Sequence, residues 1–117
     1  TARAVFAIAS AFAVPGEFLS RVTWERAVSP GIADRDDART LGFQAGCAPQ
    51  APVGAMGEHS FGHVGFTGTS VWVDPERPLV AVLLTNRVHP RWTDAPIQSW
   101  RRAFHDLAAA LHDGSDA

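Results

Sequence analysis

Phe61-Gly-His-Val-Gly-Phe-Thr-Gly-Thr69 runs directly into Ser70-Val-Trp-Val-Asp74, then the turn Pro75-Glu-Arg-Pro78 and the apolar run Leu79-Val-Ala-Val-Leu-Leu84. In the second segment Val71 and Val73 fall on one face and Ser70, Trp72 and Asp74 on the other, the period of two that marks a strand. Asp74 followed by Pro75 is the chemistry of a type I turn. Leu79 to Leu84 is continuously apolar and fits a strand covered on both faces. With a strand from Glu58 through His63 ahead of them, these segments make an antiparallel meander. The glycines around His63 keep side chains off the backbone and leave room for a ligand to lie against it, as on a substrate-binding edge strand.

Working outward, Asp94 is placed to cap a final helix with Pro96 in its first turn. Ile97, Trp100, Phe104, Leu107, Ala108 and Leu111 recur at helical spacing on one face, Arg101, Arg102 and Asp106 on the other, and Gly114 is the stop. Such a helix covers one face of the sheet. Upstream, Val5, Ile8, Ala9 and Phe12 predict a first helix over Ala2 to Ala13, ended by Pro15-Gly16. Ser20 caps a short second helix through Val28, ended by Pro30-Gly31. Asp34-Arg-Asp-Asp-Ala-Arg39 reads as a charged, solvated connector, Leu41-Gly-Phe-Gln-Ala45 as a strand, and Cys47 to Gly57, with its prolines and glycines, as a loop. The expectation is an α+β fold: an antiparallel meander with the first and last helices packed on it, residues 1–117 forming a single unit.

Composition narrows the function. With 117 residues, 46% hydrophobic and 19% charged, the chain has the make-up of a globular unit with one core. A net charge of −2, with ten arginines scattered among twelve acids, gives no electrostatic footprint for nucleic acid. No apolar run approaches the ~20 residues of a membrane span. The basic start, apolar stretch and Ala-x-Ala of residues 1–13 resemble a secretory signal, but the segment has only Arg3 as its cation and is rich in alanine, so a buried alanine-rich helix is the preferred reading. Cys47 has no second cysteine to pair with, and the compartment is left open.

In order and spacing, Gly62-His-Val-Gly-Phe-Thr-Gly68, Trp72-Val-Asp-Pro-Glu-Arg77 and Val82-Leu-Leu-Thr-Asn-Arg-Val-His-Pro90 resemble the C-terminal part of the penicillin-binding-protein-like serine hydrolases: class C β-lactamases, D-aminopeptidases and β-lactamase-fold esterases. The resemblance is strongest over residues 61–90, fair for Leu41-Gly-Phe-Gln44 and the final helix, and weak before Leu41. It implies that His63-Val64-Gly65 fills the place of the third catalytic motif, Lys-Thr-Gly or His-x-Gly. His63, Val64, Gly65 and Thr67 would then bind substrate, and the Phe66 backbone N–H would be an oxyanion-hole donor. It implies acyl transfer to a serine followed by hydrolysis of a small ester, amide or β-lactam, with no cofactor. A histidine in place of lysine is a weaker anion clamp and leans toward esters or small peptides.

The family's nucleophile lies in Ser-x-x-Lys and its second motif begins with tyrosine. This chain contains no lysine and no tyrosine. On the family reading it supplies one wall of an active site whose reactive centre is carried by the N-terminal remainder of the domain or by a second chain, and it is inert alone. The alternatives are a non-catalytic binding module of the same fold and an unrelated small α+β domain.

Other constellations carry less. His59 and His63 share a face if both lie on one strand, but no third ligand has metal spacing. A Ser60/His63/Asp74 triad has no supporting pattern, since Gly-x-Ser-x-Gly is absent. Gly62-x-x-Gly65-x-x-Gly68 precedes no helix and has no lysine to reach a phosphate. Trp24, Trp72, Trp92 and Trp100 read as core or rim packing, with Trp72 a candidate acyl-pocket wall only if its face points to the cleft.

Overall fold

The computed structural model describes residues 1–33 and 37–114. Among these, six strands lie in sequence order in one antiparallel sheet: β1 (Ile32–Ala33), β2 (Ala38–Arg39), β3 (Gln44–Ala45), β4 (Phe61–Val64), β5 (Ser70–Asp74) and β6 (Leu79–Leu83). Three helices accompany it, α1 (Ala2–Ser10), α2 (Arg21–Val28) and α3 (Ile97–His112). The α+β class and the meander are as expected. The ladder sets Phe61 opposite Val73, His63 opposite Val71 and Val71 opposite Val82.

Trp72 and Val73 are neighbours on β5, so they point to opposite faces, and each anchors its own core. Trp72 is fully buried with Met56, Ala45, Ala48, Ala51 and Ala81, under Phe104 and Ala108 of α3. The alanines of the Cys47–Gly57 loop are thus core residues that let the loop lie flat beneath the indole. Val73 and Phe61 pack with Trp24 of α2 and with Ala9, Phe12 and Ala13 at the α1 end. The Trp24 indole N–H donates to the Phe12 carbonyl at 2.8 Å and fastens α2 to that segment.

The helix ends follow local chemistry. Ser20 Oγ accepts from the Thr23 N–H and starts α2, while Pro30 forces Ser29 out of helical backbone and stops it. Thr1 Oγ1 caps α1, which ends at Ser10 rather than Ala13 because the next residues bond three back, in tighter turns. No α1 residue is fully buried, so it is not the buried helix expected: it rests on β5 and β6 with Val5 and Ala9 half-buried and Ile8 exposed.

Other boundaries also differ. Leu41 is exposed in a turn closed by Thr40, whose Oγ1 accepts from the Phe43 N–H at 3.0 Å, so the expected strand shrinks to Gln44–Ala45. Of the charged connector, residues 34–36 lie outside the described residues, but Ala38 and Arg39 belong to the sheet. Residues 58–60 form a turn, the Ser60 N–H reaching the Gly57 carbonyl, and β4 starts at Phe61 rather than Glu58.

α3 departs most. Asp94 does not cap it: its carboxylate accepts from the Trp92 indole, and α3 begins after Pro96 with no side-chain cap. Gly114, at φ +74°, ends it as expected. The buried row is Ile97, Arg101, His105 and Ala109, while Trp100, Leu107 and Leu111 face out. The surface beneath α3 is rich in loop carbonyls, and these demand donors rather than hydrocarbon. β6 ends the sheet, so one of its edges has no partner strand among the described residues.

Candidate active site

The β3–β4 ladder covers Phe61 and Gly62 only. Beyond it, His63 and Val64 meet no strand on that side among the described residues, and His63 is exposed there. Its Nε2 lies 3.3 Å from Arg39 Nη1, and its Nδ1 lies 2.9 Å from the Val64 carbonyl oxygen. A guanidinium only donates and a carbonyl only accepts, so the arrangement requires a neutral ring with the proton on Nδ1. Arg39 is itself held by Asp37, Nε to Oδ2 at 2.6 Å. A shallow groove of about 230 Å³ runs beside His63, bordered by Val5, Val64, Gly65 and Thr69.

After β4 the chain makes a tight turn. The Gly68 N–H donates to the Gly65 carbonyl at 3.0 Å, the Gly65 N–H donates to the Thr69 carbonyl at 2.8 Å, and Gly68 takes the left-handed φ of +102° that favours glycine. Phe66 stands at the second position of this turn. The residue is 70% exposed, and its backbone N–H has no acceptor among the described residues. The carbonyls of the turn, by contrast, are all held. The Phe66 carbonyl accepts from Arg87 Nε at 2.8 Å. The Thr67 carbonyl accepts from the Arg87 N–H and from Thr85 Oγ1. Those of Gly65, Gly68 and Thr69 accept from Arg101.

The glycines do not leave the space expected of them. A Cβ at Gly62 would strike the Val71 carbonyl and Trp72, and one at Gly65 would strike Thr69 Oγ1. They make room for this chain's own ladder and turn, while the open space lies along the β4 edge. Trp72 is core and lines no cleft. His59 is not on the strand: its Nδ1 pairs with Glu76 Oε1 at 2.8 Å, which raises its pKa, and it does not meet His63. Among the described residues no three His, Cys, Asp or Glu side chains converge as metal ligands.

The triad candidates also separate. Asp74 is fully buried and accepts from the N–H groups of Gly57 and Glu76 and from Arg77 Nη1; Ser60 is buried, with its hydroxyl unpartnered among the described residues. A larger hollow of about 530 Å³, walled by Trp24, Val28, Cys47 and Ser60, lies where β4 begins and β5 ends, away from His63.

Three residues of this site were not legible in the sequence: Arg39, Arg87 and Arg101. Their partners are loop carbonyls and a ring distant along the chain. The one available sign was the four-residue row from Ile97 through Arg101 and His105 to Ala109, and its polar members hid it.

No helix of the described residues is long and apolar enough to cross a membrane. No curated protein matches the chain. In fold it is similar to a beta-lactamase from Mycobacterium bovis, with a TM-score of 0.74 at 22% identity over 93% of this chain and 43% of that one. It is likewise similar to a penicillin-binding protein homolog from Caulobacter crescentus, with a TM-score of 0.72 at 21% identity over 93% of this chain and 31% of that one. The chain therefore spans less than half the length of either. The Beta-lactamase family model matches residues 13–103, most of the sheet and most of α3 included, and the chain thus belongs to the beta-lactamase family, among the penicillin-binding-protein-like serine hydrolases.

Proposed function

We propose that this chain is the C-terminal segment of a serine hydrolase domain, supplying His63-Val64-Gly65 as its third motif and the Phe66 N–H as an oxyanion donor. The observation that carries the reading is the open β4 edge at His63, followed at once by a turn whose Phe66 and Thr67 N–H groups have no acceptor among the described residues, Phe66 being the one directly after His63-Val64-Gly65. A segment bearing Ser-x-x-Lys and the proton-shuttling tyrosine completes the site from the N-terminal side of the domain or from a second chain.

In the reaction a serine oxygen attacks the acyl carbon of a small ester, amide or β-lactam as the partner segment's lysine–tyrosine pair takes its proton, and the carbonyl electrons move onto the carbonyl oxygen. The Phe66 N–H meets that developing charge. The oxyanion collapses, the alcohol or amine leaves with a proton from the partner segment's general acid, and water releases the acyl group by the reverse sequence. His63 holds the polar end of the substrate, with Arg39 placing a cation beside it.

The test uses a chromogenic cephalosporin and short-chain p-nitrophenyl esters. The chain alone is expected to give no turnover, and the chain joined to a Ser-x-x-Lys segment is expected to give turnover that His63→Ala lowers. Turnover by the chain alone that survives repurification and disappears on His63→Ala would overturn the assignment of the nucleophile to another segment.

A further inference from the structure

Arg101 is 3% exposed, and its hydrogen-bond partners are neutral oxygens. Nη2 donates to the Gly65 carbonyl at 2.7 Å and the Thr69 carbonyl at 2.9 Å, Nε donates to the Gly68 carbonyl at 3.2 Å, and Nη1 donates to Gln98 Oε1 at 2.8 Å. A buried cation without a counter-anion is costly, so the four acceptors do more than fill a gap in packing.

The Gly65 carbonyl and the Phe66 N–H belong to one peptide unit. In a planar trans peptide they point in opposite directions, so fixing the oxygen from the α3 side fixes where the N–H aims on the other side. A cationic donor on the oxygen also draws electron density through the amide and makes its N–H a stronger donor, an effect of ~10–30% per bond in hydrogen-bonded chains. The Gly68 N–H reaches the same carbonyl, so that oxygen carries two donors. Burial, and after it the nearby Arg87 charge, pushes the Arg101 pKa down, yet a guanidinium remains protonated in a protein.

We propose that Arg101 is a positioning residue for catalysis: it orients and polarises the Gly65–Phe66 peptide so that the Phe66 N–H is a preorganised oxyanion donor. The inference rests on the reading of Phe66 given above. Arg101 touches no substrate and acts from behind the turn, through the peptide. Lysine cannot take its place, because one ammonium on a flexible stem does not span three carbonyls held in a fixed fork.

The experiment pairs two variants and two readouts. In Arg101→Lys, the Phe66 amide proton and nitrogen resonances of the folded chain are expected to shift, while amides remote from the turn stay in place. In the complete hydrolase the same variant is expected to lower kcat about tenfold or more with KM within about twofold, the pattern of an interaction made only in the transition state. A folded Arg101→Lys chain with an unmoved Phe66 amide, or a moved amide with kcat unchanged, overturns the proposal. Phe66→Pro, read against Phe66→Ala as the control for the lost ring, tests the underlying reading separately, because proline suits the second turn position and removes the N–H. It is expected to cut kcat ~100-fold or more. Full activity in that variant overturns the oxyanion assignment itself, and Arg101 with it.

Discussion

Arg39 Nη1 lies 3.3 Å from His63 Nε2 although the two residues are 24 positions apart in sequence. His63 thus has a cation against its ring. On the reading proposed above, the guanidinium, itself paired with Asp37, adds to the hold that His63 has on an anionic substrate group. In a complete hydrolase Arg39→Ala is expected to raise KM for carboxylate-bearing esters several-fold more than for their neutral counterparts. Equal changes for both series would show that the cation does not read the substrate.

His63 itself is exposed, so His63→Ala is expected to change the stability of the chain by no more than ~0.5 kcal/mol, as at other surface positions. Urea unfolding measures this. Turnover of the complete enzyme is expected to fall about tenfold or more. A loss of ~2 kcal/mol with turnover per folded molecule unchanged would make His63 a structural residue.

Gly62 is pressed against Val71 and Trp72, with no freedom for a side chain to turn aside. Gly62→Ala is expected to destabilise the chain by ~1–3 kcal/mol through overpacking. A shift in urea midpoint at constant slope would report it. A variant as stable as the original would mean that the β4–β5 ladder gives way easily at its centre.

His105 lies fully buried beneath α3, its Nδ1 at the Pro52 carbonyl and its Nε2 3.4 Å from Ser70 Oγ. Burial, the largest influence, pushes its pKa below the ordinary 6.5. The folded state therefore resists protonation while the unfolded state accepts it. The stability contributed by the neutral ring is complete above about pH 6.5 and is lost as pH falls through the lower folded value. Unfolding free energy is expected to decline between pH 7 and pH 5, with the decline reduced in His105→Gln. His59, raised by Glu76, acts in the opposite direction, but it is fully exposed and present in both proteins, so the difference between them isolates His105.

The β6 edge, without a partner strand among the described residues, and the exposed Trp100, Leu107 and Leu111 of α3 leave apolar surface and strand edge uncovered. Sedimentation of the isolated chain is expected to show association that grows with concentration and weakens in Leu107→Lys/Leu111→Lys. A strictly monomeric, cooperatively unfolding chain would favour a self-contained module.

Sequence reading succeeded where structure is local. The alternation of Val71, Trp72 and Val73, the Asp74-Pro75 turn and the Ser20 cap each depend on neighbours a few residues away, and each appears where the residues place it. It failed where the deciding partner is remote. α3 is turned so that Arg101 and His105 face inward because Gly65, Gly68, Thr69 and Pro52 offer them carbonyls. An amphipathic pattern scores only hydrocarbon: it placed Ile97, Phe104 and Ala108 correctly against the core but grouped Trp100, Leu107 and Leu111 with them and put Arg101 outside. β1 and β2 are two residues each and exist through the ladder rather than any periodicity. His63 was singled out for its glycine setting, although those glycines serve the chain's own packing. Arg39 was not, because nothing in the connector indicates that its last residue reaches across the sheet.

The Arg87 guanidinium sits over the Trp92 ring at 4.5 Å and over Phe66 at 5.5 Å, while its Nε holds the Phe66 carbonyl. Trp24 and Trp72 are buried and Trp100 lies on the outer face of α3, so the Trp92 indole is the one placed to sense the turn. A cation over an indole alters its emission. A chain with Trp24, Trp72 and Trp100 replaced by phenylalanine, if it folds, would carry a single fluorophore wired through Arg87 to the Phe66 peptide, and docking of a partner segment against that turn becomes a change in light that can be followed in real time.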